Sequence, residues 1–168
     1  VWTVKFLLDT HTFLWWITDD AQLSSAAFDV IRDGNNVLFW SAASSWEVAI
    51  KHALGRLPLP ESPEIFIPKE IEKNRIESLQ INHHHAFHAG QLPSYHKDPF
   101  DRMLIAQAQT ESLVLLSCDA VFNQYGVMIK WWPSYHWNMG SNLDYYIRHY
   151  IDFTYLGLRS FSKEGISV

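Results

Sequence analysis

Short continuous apolar runs punctuate this chain, at residues 4–8 (VKFLL), 37–40 (VLFW), 113–117 (LVLLS) and 127–130 (VMIK). Runs of that length, rich in Val, Ile, Leu and Phe, predict strands buried on both faces. Between them apolar residues recur at helical spacing. The spacing predicts helices through Phe13–Ile17, over 24–33 closed by Gly34, over Ser44–Leu54 ended by Gly55, over Pro63–Asn74 and over Phe100–Ser112, with a short strand at Ile76–Ile81. In the Ser44–Leu54 helix, Trp46, Ala49, Ile50 and Ala53 share one face. Strands separated by helices imply parallel pairing with helices on both sides. The expected fold is therefore a three-layer α/β/α arrangement around a central, mainly parallel sheet.

In such a sheet the ligand crevice lies beyond the carboxyl ends of the strands. That rule singles out Asp9 after the first strand, the segment Ser41–Glu47 after the second, and Asp119 after LVLLSC. The stretch KDPFDRMLIAQA at 97–108 adds two aspartates around a proline, directly before an apolar helix. Each acid has a local explanation. Asp9 and Asp119 stand where N-caps stand, and Glu47 closes a Ser44-x-x-Glu47 capping box. Asp98 fits a cap, with Pro99 first and Asp101 third in the helix.

Together the acids say more, because the strand order brings Asp9, Glu47, Asp101 and Asp119 to one end of the sheet. Two like charges about 4 Å apart repel by roughly 1 kcal/mol in water and about 4 kcal/mol at an effective dielectric near 20. A divalent cation offsets that repulsion far better than helix ends do. All-oxygen ligands suit a hard ion, Mg²⁺ or Mn²⁺, over zinc. Such an ion supports attack of water on a phosphate ester.

Composition narrows the setting. The 168 residues, 48% of them hydrophobic, suffice for one domain with a full core. No apolar run is long enough to span a membrane, and the N-terminal stretch lacks the pattern of a secretory signal. The lone cysteine, Cys118, is expected to be inert in an apolar strand. A cytoplasmic protein is expected. A net charge of −5 is unusual for a nucleic-acid binder, so attraction for phosphates requires a bound cation or a local patch. Lys51, Arg56, Lys97 and Arg102 are the candidates for that patch. The His-rich run HHHAFH at 83–88 places His84 and His88 one helical turn apart, without a second ligand pair, and reads as a solvated surface helix. The tryptophans read as core or as a dimer surface. The Asp9-Thr10-His11 stretch has the Asp-x-His start of metallophosphoesterases but not their later Gly-Asp and Gly-Asn-His motifs, and the motifs of haloacid-dehalogenase-like phosphatases and phosphate-cradling glycine loops are missing.

Four segments, FLLDTHTFLWW, SAASSWEVAIKHALGRL, LPSYHKDPFDRMLIAQA and LLSCDAVFNQYGV, resemble in that order the successive motifs of PIN-domain ribonucleases, specifically the VapC-like toxins of bacterial toxin-antitoxin pairs. The resemblance covers about residues 4–131. It implies that the metal-binding and catalytic acids are Asp9, Glu47, Asp101 and Asp119, with Ser117 beside the last and Asp98 supporting Asp101. It also implies a Mg²⁺- or Mn²⁺-dependent cleavage of single-stranded or looped RNA leaving a 5′-phosphate and a 3′-hydroxyl, a cognate antitoxin as partner, and a homodimer. Two other readings stay open: a PIN-like module that binds RNA or protein without turnover, and a small-molecule phosphatase. Residues 1–3 read as an upstream addition, and 132–168 as a C-terminal extension, either an amphipathic helix or a foreign tail.

Overall fold

The computed structural model describes residues 3–130. Five strands, β1 (Lys5–Leu8), β2 (Val37–Ser41), β3 (Glu77–Leu79), β4 (Val114–Leu116) and β5 (Ile129–Lys130), form one all-parallel sheet in the order β3-β2-β1-β4-β5. Six helices accompany them among the described residues: α1 (Thr10–Ile17), α2 (Ser25–Arg32), α3 (Ala42–Ala53), α4 (Pro63–Lys73), α5 (His83–Gln91) and α6 (Pro99–Thr110). A 3₁₀ segment, Ala120–Tyr125, links β4 to β5. No helix among the described residues is long and apolar enough to cross a membrane.

The alternation of side chains along each strand divides the core into two layers. Phe6, Leu8, Leu38, Trp40 and Leu116 pack with Phe13, Leu14, Ile31, Val48 and Ile67 of α1 to α4. Leu7 and Leu115 face the other way, against Ala89 of α5 and Leu104, Ile105 and Ala108 of α6. Helices thus cover both faces, as the continuous apolar strands require.

Strand order decides where the crevice opens. The chain builds from β1 outward to β2 and β3, then returns through α5 and α6 to place β4 on the other side of β1. The order reverses between β1 and β4, which is the switch point where an open α/β sheet receives its ligand. In register, Leu8 of β1 stands beside Leu116 of β4, so the residues that follow both strands emerge together.

Several boundaries and faces differ from expectation. Helix α3 begins at Ala42, capped by Ser41, whose Oγ accepts the Ala43 amide at 3.0 Å. The Ser44–Glu47 capping box therefore does not form, and both residues lie on the buried side of α3 with Ala43, Val48 and Lys51. Trp46, Ala49 and Ala53 face outward, with Trp46 52% exposed. The polar stripe can be buried because its charges pair with one another, which hydrophobic periodicity does not register. Cys118 lies past the end of β4, half-buried. Within the His-rich run His84 is exposed, but His85 is buried, accepting the Asn82 amide at Nδ1 (3.3 Å) with Nε2 2.8 Å from Glu111 Oε1. Residues 1–2 of the supposed upstream addition and the 132–168 extension lie outside the described residues.

Candidate active site

Beyond the carboxyl ends of β1, β2 and β4 the structure gathers a connected set of polar groups. Asp9 follows β1 and caps α1, accepting the His11 amide at 3.4 Å. Its other oxygen, Oδ2, accepts a 2.6 Å hydrogen bond from Ser117 Oγ, and the same hydroxyl accepts the Asp119 amide at 3.0 Å. Ser117 thereby ties the loop after β4 to the loop after β1. Asp119 caps the 3₁₀ segment through its Oδ1, which takes the Val121 amide at 2.8 Å. Its Oδ2 faces the His96 ring, 3.2 Å from Nε2. Asp101 Oδ2 lies 3.1 Å from the same nitrogen.

Glu47 enters from α3 and is buried. Its Oε1 pairs with Lys51 Nζ at 2.5 Å, and its Oε2 accepts the Thr10 hydroxyl at 2.7 Å. Asp98 caps α6, accepting the amides of Phe100 (2.8 Å) and Asp101 (3.4 Å), with Pro99 in the first turn. The cap sets the first turn of α6 so that Asp101 stands among the other acids.

The charges report how closely these groups sit. Burial lifts the Asp101 carboxyl well above its ordinary value of 3.8, and repulsion from Asp98, Asp9, Glu47 and Asp119 lifts it further. Burial and then the Glu47 charge raise Asp98, against the Phe100 and Asp101 amides and Lys51. Burial works against the charge of Asp9 too, but contacts with His11 and the Ser117 hydroxyl outweigh it and hold this carboxyl low. Asp119 is likewise lowered despite burial, by the His96 ring and the Val121 amide. Five carboxylates so share one crevice, with Asp101 and Asp98 raised and Asp9 and Asp119 lowered.

The four basic side chains read as a phosphate-binding patch fare differently. Lys51 is 7% exposed and belongs to the internal pair with Glu47, so it does not present itself to an incoming polyanion. Arg102 spends its guanidinium on four backbone carbonyls, those of Ala89, Leu92, Pro93 and His96, at 2.7–3.3 Å. It clamps the α5–α6 connection instead of facing solvent. Arg56 is half-buried, and Lys97 is exposed between His96 and Asp98. The planar fork of Arg102 cannot be replaced by an ammonium. Arg102→Lys is expected to cost about 1–3 kcal/mol in urea unfolding, the scale of charge-assisted hydrogen bonds. Hydrogen exchange should show the loosening concentrated in the connection it clamps.

His96, Thr10 and His11 complete the site; sequence reading weighed His11 only as part of a discounted Asp-x-His start and passed over the other two. The position of His96 two residues before Asp98 was the available signal.

The family model of the PIN domain matches residues 6–128. The chain belongs to the PIN domain family. Ribonuclease VapC16 of Mycobacterium tuberculosis is 36% identical over 59 residues, a stretch that covers 35% of this chain and 42% of that relative. This PIN domain thus matches less than half the length of that curated relative. The fold is also that of the VapBC2 complex from Rickettsia felis bound to a promoter DNA fragment, with a TM-score of 0.58 at 13% identity over 77% of this chain and 99% of that one. DNA-bound VapBC from Salmonella typhimurium gives 0.56 at 21% identity, covering 77% and 98% of the two chains. At these identities the likeness is one of fold.

Proposed function

We propose that this PIN domain is a Mg²⁺- or Mn²⁺-dependent endoribonuclease of the VapC toxin type, neutralised by a cognate antitoxin. The observation that carries the reading is the crowding of Asp9, Glu47, Asp98 and Asp119 around a half-buried Asp101 at the switch point of the sheet. Such crowding opposes folding unless positive charge is supplied, and a set of carboxylate oxygens matches the preference of a hard divalent ion. Asp9, Asp101, Asp119 and Glu47 are the residues that would hold it. When bound, that ion supplies charge that acidifies water and steadies a phosphodiester in its transition state.

The chain's own groups do the positioning. Ser117 orients Asp9 and the Asp119 amide with a single hydroxyl. Thr10 and Lys51 fix the plane of Glu47. Asp98 sets the start of α6 so that Asp101 faces the crevice. Burial and the neighbouring acids hold the Asp101 carboxyl above its ordinary value, so a cation held here would favour its ionised form and is expected to bind more tightly as pH rises. Lys97 is the exposed cation proposed to meet the RNA backbone.

The named relatives support the partner as well: a ribonuclease in one case, and in the others assemblies of VapB with VapC. The outward apolar face of α3, where Trp46 meets Phe100 edge-on at 5.1 Å, supports the homodimer reading. Purified protein should cut single-stranded RNA in Mg²⁺ or Mn²⁺, stop in chelator and resume when the ion is restored. Asp9→Asn, shown to be folded by circular dichroism, should lose about 100-fold or more, the scale of removing one charge-stabilising group. Undiminished cutting by that variant would mark a contaminating nuclease and end the proposal, while RNA binding without cutting would favour the non-catalytic module.

A further inference from the structure

His96 brings a ring nitrogen to within 3.1 Å of Asp101 and 3.2 Å of Asp119, which by distance alone makes a triad of one imidazole and two carboxylates able to grip a metal ion. The hydrogen bond on the other ring nitrogen argues otherwise. The Asp98 amide donates to His96 Nδ1 at 3.2 Å. A nitrogen that accepts an N–H has its lone pair committed, so the ring proton must sit on Nε2. With that proton in place Nε2 has no lone pair for a metal. An Nδ1–H tautomer would set two donors against each other at the Asp98 amide.

We infer that His96 is a positioning residue and not a metal ligand: its Nδ1 is held by the Asp98 amide, which leaves Nε2–H as a donor that holds the Asp119 carboxylate. This inference rests on the metal-site reading above. Asp98 then has two tasks, since its side chain caps the helix bearing Asp101 while its amide sets the tautomer of the ring that steadies Asp119.

The ring has little freedom to escape this role. The His96 amide donates to Tyr125 Oη, its carbonyl accepts from Arg102, and the ring lies against Phe122 with centroids 5.7 Å apart. Tyr125 is itself anchored, donating to the Pro93 carbonyl at 3.0 Å. The same wiring recurs at His85, where Nδ1 takes the Asn82 amide and Nε2 meets Glu111. His85 lies outside the acidic crevice and so provides an internal reference.

The test is nitrogen NMR of ¹⁵N-histidine-labelled full chain, first with chelator and then with Mg²⁺. Both His96 and His85 are expected as Nε2–H tautomers, and His96 is expected to stay so when Mg²⁺ is added. An Nδ1–H signal for His96 in either state would overturn the inference. Metal affinity gives the second readout, measured by calorimetry with Mn²⁺ on stripped protein. His96→Gln, whose amide nitrogen falls near Nε2, should bind Mn²⁺ within about threefold of the unaltered chain. His96→Asn, which carries its donor at the Nδ1 position, should lose about 10- to 100-fold, the cost of removing a group that orients a ligand. Equal loss in both variants, or direct ¹⁴N coupling from a ligated imidazole in pulsed EPR of the Mn²⁺ form, would show that His96 ligates. Failure of the unaltered chain to bind Mn²⁺ would end the metal reading, while the tautomer result would still decide the state of the ring.

Discussion

Asp101→Asn is expected to abolish RNA cleavage, by about 10²- to 10³-fold or more, and at the same time to raise the melting temperature of the metal-free protein. The two effects share a cause. Burial, then the charges of Asp98, Asp9, Glu47 and Asp119, hold the Asp101 carboxyl well above 3.8. Asparagine keeps the shape and removes the repulsion, and each kcal/mol relieved should appear as roughly 2–4 °C. The pH dependence follows from the direction of the shift. Because folded protein holds this proton more tightly than unfolded chain, the contribution of Asp101 favours the fold in acid. It is lost as pH climbs from the ordinary value of 3.8 through the raised one. Asp9 and Asp119, both lowered, work in the opposite sense, present above their ordinary values and fading as pH falls through the lowered ones. The advantage of Asp101→Asn over the unaltered chain should therefore grow from about pH 4 toward neutrality in chelator, and shrink when Mg²⁺ is supplied to both. Calorimetry at several pH values checks this. A lower melting temperature for Asp101→Asn in chelator would show that the carboxylates are not crowded as described.

Lys51→Met is expected to be the most destabilising single change at the site, by about 3–5 kcal/mol. Methionine fills much the same space, so the effect isolates charge. The Lys51 and Glu47 side chains are only 9% and 5% exposed, and the change leaves Glu47 buried with the Thr10 hydroxyl as its remaining hydrogen-bond donor. The stranded carboxylate would also face Asp98 and Asp101, both of which already feel its charge. At roughly 2–4 °C per kcal/mol the melting temperature should fall by roughly 6–20 °C. Combining Lys51→Met with Glu47→Gln should recover most of the loss, because a neutral amide removes the unpaired charge. Urea unfolding of the single and double variants measures the coupling directly. A loss below about 1 kcal/mol would be the value for an exposed pair and would return Lys51 to the phosphate-facing role first assigned to it.

How much of the fold the local sequence dictates varies from element to element. The strands at 4–8 and 113–117 announce themselves because a strand buried on both faces has no reason to alternate, and the structure places β1 and β4 there, side by side. The start of α6 is as plain, since Asp98, Pro99 and Asp101 each satisfy a local requirement of a helix N-terminus. Asp9 and Asp119 could be singled out from the rule that ligands gather beyond strand ends. For these positions the nearest neighbours in the chain dictate the conformation, and sequence therefore suffices.

Other features depended on what approached from elsewhere in the chain. Periodicity made Trp46, Ala49 and Ala53 a face of α3, but not which way that face would turn. The opposite stripe could be buried because Glu47 found Lys51 one turn on and Thr10 from another element. Arg102 and Lys51 were legible as positive charges, yet whether a charge meets water, a carbonyl or a carboxylate is decided by packing. His96 joined the site because the α5–α6 connection folds back over the 3₁₀ segment, bringing together residues 23 positions apart. The sequence by itself determined the strands at 4–8 and 113–117 and the start of α6, all governed by short-range sterics and hydrogen bonding. Only the tertiary structure decided which charges neutralise one another and which nitrogen of a histidine carries its proton, because both depend on groups that are distant in the chain until it has folded.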